Sequence, residues 1–278
     1  NMKTTILKIV FLAFVTFNFQ LETLNSWAQQ LPYFSQYMLN DFYLNPAVAG
    51  TKESNVASMS IRMQWLGFKN APNTQVASFH GPFFKTMGLG AILFNDRTLP
   101  YNQTGLQLSY AYRMDVNRDS KISLGLSGMF YQHRLDKNRI SLDEQNDLAL
   151  YGEKGNSFAP DADFGVYYYT KNYHAGLSMP QLLQTRMRFQ DADQTKKNKL
   201  VRHIFLHGGY KFNINDEFDV EPSFLLKAIF SAPAQFDLNA KLFYRKMVWG
   251  GVSYRNKESV IIMMGAKKDD FEAGYSYD

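Results

Sequence analysis

The stretch Gln103-Thr104-Gly105-Leu106-Gln107-Leu108-Ser109-Tyr110-Ala111-Tyr112-Arg113-Met114 decides the fold. Leu106, Leu108, Tyr110, Tyr112 and Met114 alternate with Gln107, Ser109, Ala111 and Arg113. After a polar turn from Val116 to Lys121 the pattern resumes, with Ile122, Leu124, Leu126 and Phe130 set against Ser123, Gly125, Ser127 and Tyr131. Successive side chains of a strand point to opposite faces, so each stretch has one apolar face and one small or polar face. The same alternation recurs to the end of the chain. Phe236, Leu238, Ala240, Leu242 and Tyr244, for instance, oppose Asp237, Asn239, Lys241 and Phe243. The expected fold is all-β: a transmembrane antiparallel up-and-down β-barrel over residues 54–278.

The beginning of the chain supports this. Lys3 and Lys8 precede an apolar run from Ile9 to Phe19, and Ser26-Trp27-Ala28 is a small-x-small cleavage site before Gln29. Residues 1–28 therefore read as a signal peptide, because the run falls short of the ~20 apolar residues of a spanning helix. Residues 29–53 form an N-terminal periplasmic or luminal segment. Mean hydropathy is −0.32, too polar for a helical membrane protein. A barrel tolerates that polarity, because only alternate residues meet lipid. Aromatic residues make up 15% of the chain, enough to furnish two interfacial girdles. The absence of cysteine excludes disulfides, thiol catalysis and cysteine metal sites.

Thirteen strands can be counted, the last from Phe271 to Tyr277. Tight turns at Phe83–Thr86, Val116–Ser120, Lys171-Asn172, Ile214–Asp216, Arg245-Lys246 and Lys267–Asp270 alternate with a second set of connections. That set is Trp65–Asn73, Asn95–Thr104, Arg134–Asp161, Pro180–Leu200, Phe230–Ala234 and Asn256–Glu258. Short periplasmic turns and longer outer loops are the arrangement of an up-and-down barrel. Bacterial single-chain barrels have an even number of strands, so the odd count implies either a miscounted strand or, the preferred reading, a returning strand beyond Asp278.

The segment Gln30-Leu31-Pro32-Tyr33-Phe34-Ser35-Gln36-Tyr37-Met38-Leu39-Asn40, followed by Tyr43-Leu44-Asn45-Pro46-Ala47-Val48-Ala49-Gly50, resembles the PorP/SprF family of the Bacteroidetes type IX secretion system. Further matches are Arg62-Met63-Gln64-Trp65-Leu66-Gly67 with Ala71-Pro72, Gly176 to Pro180, Gly208 to Tyr210, Pro222-Ser223 with Leu226-Lys227, Gly251 to Arg255, and Gly274 to Asp278. The resemblance implies an outer-membrane barrel of fourteen strands, the last following Asp278, and no enzymatic activity. It also implies service in export and surface attachment of particular secreted proteins, gliding adhesins among them. The implied partners are a secreted protein's C-terminal domain or a surface adhesin, a periplasmic peptidoglycan-associated protein, and outer-membrane lipid.

From the residues themselves, the segment Phe34 to Gly50 is rich in aromatics and amides and lacks strict alternation. It is expected in the periplasmic mouth or folded into the lumen, with a turn at Asn45-Pro46 and with Gln36, Asn40 and Asn45 bonding inward-facing strand residues. Phe34, Gln36, Tyr37, Asn45, Pro46 and Gly50 are its candidate residues. Arg62, Gln64, Trp65, Gly67 and Pro72 form a second set at the outer end of the first strand. There Trp65 is an interfacial belt residue, or Arg62 and Gln64 organise the loop Gly67–Pro72 as a docking surface. His203 and His207 share a strand face but lie roughly 13 Å apart at ~3.3 Å per residue, too far for one metal ion. Asp143, Glu144, Asp147, Asp161 and Asp163 offer oxygen ligands for weak calcium binding, though no EF-hand spacing is present. No motif selects a nucleophile, so no enzyme is expected, and no phosphate-binding glycine motif points to a cofactor.

The net charge is +5, with basic residues scattered apart from Lys196, Lys197 and Lys199, which read as a solvated loop. That distribution carries no nucleic-acid footprint. The alternative function from a different class is a small-solute porin, whose lumen would be an aqueous channel.

Overall fold

A strand placed in hydrocarbon must find all its hydrogen-bond partners in neighbouring strands. The computed structural model answers this demand with one antiparallel sheet, open between its first and last strands; it describes residues 36–136, 155–186, 200–230, 232–256 and 258–278. The strands are β1 (Val56–Met63), β2 (Asn73–Phe84), β3 (Met87–Thr98), β4 (Tyr101–Asp115), β5 (Ser120–Leu135), β6 (Asn156–Thr170) and β7 (Tyr173–Met179). They continue as β8 (His203–Tyr210), β9 (Phe212–Asn213), β10 (Phe218–Ile229), β11 (Ala232–Tyr244), β12 (Val248–Arg255), β13 (Ser259–Lys268) and β14 (Phe271–Tyr277). Each strand pairs with the next in sequence, except that β8 and β9 both lie against β10.

That exception has a simple cause. The pairs Ser223 with Gly209 and Val220 with Phe212 belong to one continuous register. The residue facing Tyr210 in that register is Pro222, which has no N–H to donate, and the ladder lapses there. The fourteen strands are therefore thirteen crossings, one of them interrupted at Lys211. The signal peptide at 1–28 lies outside the described residues.

The side chains are arranged inside out relative to a water-soluble protein. In β4, Gln103, Gln107, Ser109 and Ala111 are buried, whereas Leu108, Tyr110, Tyr112 and Met114 are exposed. In β5, Ser123 and Ser127 are buried, whereas Leu124, Leu126 and Phe130 are exposed. Exposed apolar residues cover the outer face from Met59 of β1 to Tyr275 of β14. A surface of that extent marks a lipid interface. Aromatics gather at its two borders. Phe84, Tyr112, Tyr173, Tyr210, Phe212 and Tyr244 ring the end with the tight turns. Phe130, Phe158, Phe230, Phe236 and Tyr254 ring the other end. From Phe236 to Tyr244 along β11 is roughly 26 Å at ~3.3 Å per residue, matching the ~25 Å apolar band of such barrels.

β1 and β14 are the two edges of the sheet. They are drawn together where Arg62 on β1 donates to the Asp278 carboxylate at 3.1 Å.

Three expected loops are shorter than the sequence suggested. Asn95–Thr104 is mostly strand: β3 and β4 pair out to Thr98 with Tyr101, leaving only Leu99-Pro100 between them. Asn95, Asp96, Arg97, Asn102 and Gln103 are polar on both faces, so the alternation vanishes where the hairpin rises out of lipid. Thr74 Oγ1 donates to Asp96 at 2.5 Å and helps hold this extension. Likewise β5 runs to Leu135 and β6 begins at Asn156, and β11 begins at Ala232. The long connections that orient the barrel are thus the ones after β1, β5 and β7.

The outward face gives a direct test. Leu126, 57% exposed near the middle of β5, should meet the membrane midplane. Leu126→Arg should lower folding stability in liposomes by about 2–4 kcal/mol, whereas Gln132→Arg near the outer rim should cost about 0–1 kcal/mol. Urea unfolding followed by heat-modifiable gel mobility measures both.

Candidate functional site in the lumen

The residues preceding β1 occupy the inside of the curled sheet. Three short helical turns, Tyr37–Leu39, Asp41–Leu44 and Pro46–Val48, make a plug. The last turn is set locally by its sequence. Asn45 is its N-cap and accepts the Ala47 N–H at 2.9 Å, and Pro46 occupies the first helical position.

Asn45 is the hub of the plug. It is fully buried, at 0% exposure. Its amide nitrogen lies 3.0 Å from Val166 O on β6, 3.4 Å from Leu177 O on β7 and 3.3 Å from His207 Nε2 on β8. Beside it, Ser178 Oγ donates to Leu44 O at 2.6 Å. The wall is hollowed to receive this turn. A Cβ on Gly165 would stand 2.0 Å from Asn45 Oδ1, and one on Gly125 would stand 2.2 Å from Ala47 N. These two glycines face each other across β5 and β6.

The plug touches nearly the whole circumference. Asn40 Nδ2 donates to Ser78 Oγ at 2.9 Å, and Gly50 N donates to His80 Nδ1 at 3.2 Å, both on β2. Arg113 of β4 donates to Gly50 O and, through Nη2, to Phe84 O at 2.8 Å and Met87 O at 3.0 Å, which ties the end of the plug to the β2–β3 turn. On the far side, Asn239 of β11 donates to the Tyr37 hydroxyl at 2.8 Å. Burial, reinforced by the Asp237 carboxylate, pushes the Tyr37 phenol well above its usual range, so it stays neutral.

Apolar contacts complete the seat. Phe42, Ala47, Val48 and Ala49 pack with Ile92, Phe94, Met129 and Tyr131. Tyr37 and Leu44 pack with Phe205 and Leu225, while Met38 and Leu39 lie against Trp249, Ile261 and Met263. These inward-facing apolar residues of the wall depart from the small-or-polar inner face expected from sequence, and the plug is the reason.

A second set of contacts lies toward the long-loop end. Asp161 accepts from Leu183 N at 2.8 Å and Thr185 N at 3.3 Å, and Asp163 accepts from Gln181 N at 3.0 Å. The two carboxylates that the sequence offered for calcium thus fasten the segment after β7 to the inner wall. Asp143, Glu144 and Asp147 lie outside the described residues, as do Lys196, Lys197 and Lys199. A cavity of about 2250 Å³ remains, opening from the tight-turn mouth along the seam between the edge strands β1 and β14.

Among the candidate residues, the structure gathers Gln36, Tyr37, Asn45, Pro46 and Gly50 in the plug. Phe34 lies outside the described residues. A Cβ on Gly274 would stand 3.1 Å from Gln36 Oε1, so this part of the plug lies against β14. Arg62, Gln64, Trp65, Gly67 and Pro72 lie apart from it, at the end of β1. Gln64 N donates to Pro72 O at 3.0 Å and closes the loop, at whose tip Trp65, Leu66 and Phe68 are exposed. Arg62 ties this end to Asp278.

Sequence reasoning missed the ionic ladder on the inner faces of β10 to β12. Asp237 sits between Lys227 at 3.4 Å and Arg255 at 3.3 Å, and Lys241 meets Glu221 at 3.0 Å. Their signal was inward parity: each charge falls opposite the exposed apolar positions of its strand.

The family model described as type IX secretion system membrane protein PorP/SprF matches residues 26–278. No curated protein matches the chain. Among solved structures, a KdgM porin aligns at 11% identity and a TM-score of 0.39, covering 81% of this chain and 99% of the porin. A chain from a study of in-meso crystallization of membrane proteins aligns at 9% identity and a TM-score of 0.41, covering 80% of this chain and 82% of its own.

The seat of the plug can be broken from either side. Asn45→Ala should lower thermal stability in detergent by about 1–3 kcal/mol, because it leaves buried wall groups without a partner. Gly165→Val should expel the plug while leaving the barrel folded. Limited proteolysis should then cleave residues 36–50 in the variant and spare them in the wild type.

Proposed function

The chain belongs to the PorP/SprF family of type IX secretion system membrane proteins, and we propose from that premise that it is a plugged, non-enzymatic scaffold of the outer membrane. After export and cleavage near Ala28, it supports the export and surface attachment of specific secreted proteins or gliding adhesins by binding them. The rim with the long connections faces outward and meets a secreted protein's C-terminal domain or an adhesin. The rim with the tight turns faces a periplasmic, peptidoglycan-associated partner. The observation that carries this reading is the plug, bonded to strands all around the wall. A barrel so filled offers its rims and its remaining cavity for recognition, and a set of its inward polar groups is engaged in holding the plug.

The cavity of about 2250 Å³ is the observation that favours the second reading, a small-solute porin. The plug and the inward-folded segment after β7 both stand in the way of a continuous channel.

Removal of the gene should leave one or a few large secreted or surface proteins unexported, read by comparing surface and secreted proteomes with the parent strain. Unchanged proteomes would reject the scaffold role. In planar bilayers the purified wild-type barrel should carry no steady current, and Gly165→Val should open one. A steady wild-type current would favour the porin.

A further inference from the structure

Three side chains with metal-binding atoms converge where the plug meets the wall. Asp41 begins the second helical turn of the plug, His174 lies on β7 and His207 on β8. β7 and β8 pair His174 with Gly209 and Gly176 with His207, so the two histidines sit two residues apart on adjacent strands, both inward. One ligand atom from each of the three residues lies within 4.8 Å of the others. His174 Nε2 and Asp41 Oδ2 are already 3.8 Å apart.

Around a tetrahedral zinc ion with bonds of ~2.0–2.1 Å, ligand atoms are separated by about 3.4 Å. A closure of about one ångström would therefore bring the set to bonding geometry. Two imidazoles and one carboxylate suit zinc or a neighbouring late transition metal, whereas calcium and magnesium favour all-oxygen sets. The backbone places the ligands independently: one comes from the plug and two from the wall. All three line the large cavity, which supplies a route for an ion and room for a water as fourth ligand. The Tyr167 ring stands over both histidines, with centroids 5.6 Å from His174 and 5.8 Å from His207.

We propose that Asp41, His174 and His207 form a divalent transition-metal site, zinc being the best match, that fastens the plug to the barrel wall. Bound metal would couple the Asp41–Leu44 turn to β7 and β8 and hold the plug more tightly than the polar contacts do alone.

The test uses the full chain, purified in detergent and stripped with chelator, then titrated with zinc chloride. Isothermal titration and elemental analysis after desalting should give one zinc per chain. The melting temperature should rise by roughly 5 °C at a free zinc concentration ~100 times Kd. Asp41→Asn and His174→Gln should each abolish the stoichiometric zinc and the shift while keeping heat-modifiable mobility, and His133→Gln, outside the cluster, should retain both. Failure of wild type to bind one equivalent, binding untouched by Asp41→Asn and His174→Gln, or a preference for calcium would overturn the proposal. The first two results would leave Asp41 and His174 as a polar contact between plug and wall.

Discussion

A backbone amide in hydrocarbon has nothing to bond except another strand, and this constraint organises the protein. It demands the long antiparallel ladders and turns the apolar side chains outward, where the lipid is. It leaves the inner face to small and polar groups, but those groups too need partners once water is excluded. The plug supplies a share of them. Asn40, Asn45 and the Tyr37 hydroxyl bond Ser78, the Val166 and Leu177 carbonyls, and Asn239. An amide-rich segment suits this role because each amide both donates and accepts. Asn45 shows the logic at its tightest, capping its own turn with one side-chain atom while addressing β6, β7 and β8 with the other.

The plug also changes what the wall must be. An empty lumen would be lined by water and would favour polar side chains all round. Here Ile92, Phe94, Met129, Phe205, Leu225, Trp249, Ile261 and Met263 face inward and are buried. Together with Phe42, Leu44 and Val48 of the plug they make three apolar clusters between plug and wall, enclosed by a surface suited to lipid. Close packing also explains the wall glycines. The backbone of the plug at Gly125, and the Asn45 side chain at Gly165, come so near that any side chain there would occupy the same space.

Much of this was legible in the sequence. The strands within lipid announce themselves, because one face must be apolar over its whole height. The hairpin Asn95–Thr104 and the start of β6 did not, because above the membrane neither face has to be apolar and the period-two signal disappears. The interruption at Lys211 was written in Pro222, a residue on the facing strand, and becomes visible only once the register is known. The plug was recognisable as an amide-rich, non-alternating segment with an Asn-Pro turn. Its place among the strands depended on contacts more than a hundred residues apart in sequence, such as Asn45 with Val166 and Ser178 with Leu44. Pairs such as His174 and His207, on neighbouring strands, are hidden for the same reason.

The buried charges of β10 to β12 follow from the same constraint. Taken alone, an ion pair withdrawn from water adds little net stability, since desolvation offsets most of the attraction. Their value lies in what they forbid. A slip of one residue would turn Lys227, Asp237, Lys241 and Arg255 toward lipid, where Lys241, mid-strand, would cost about 2–4 kcal/mol and those beside the girdle of Phe236 and Tyr254 less. In the observed register each of these side chains finds an opposite charge: Lys227 and Arg255 meet Asp237, and Lys241 meets Glu221. The ladder therefore selects one register, and with it the positions of Asn239 under Tyr37 and of Leu225 under Leu44. A wall fixed in this way holds the plug in one place.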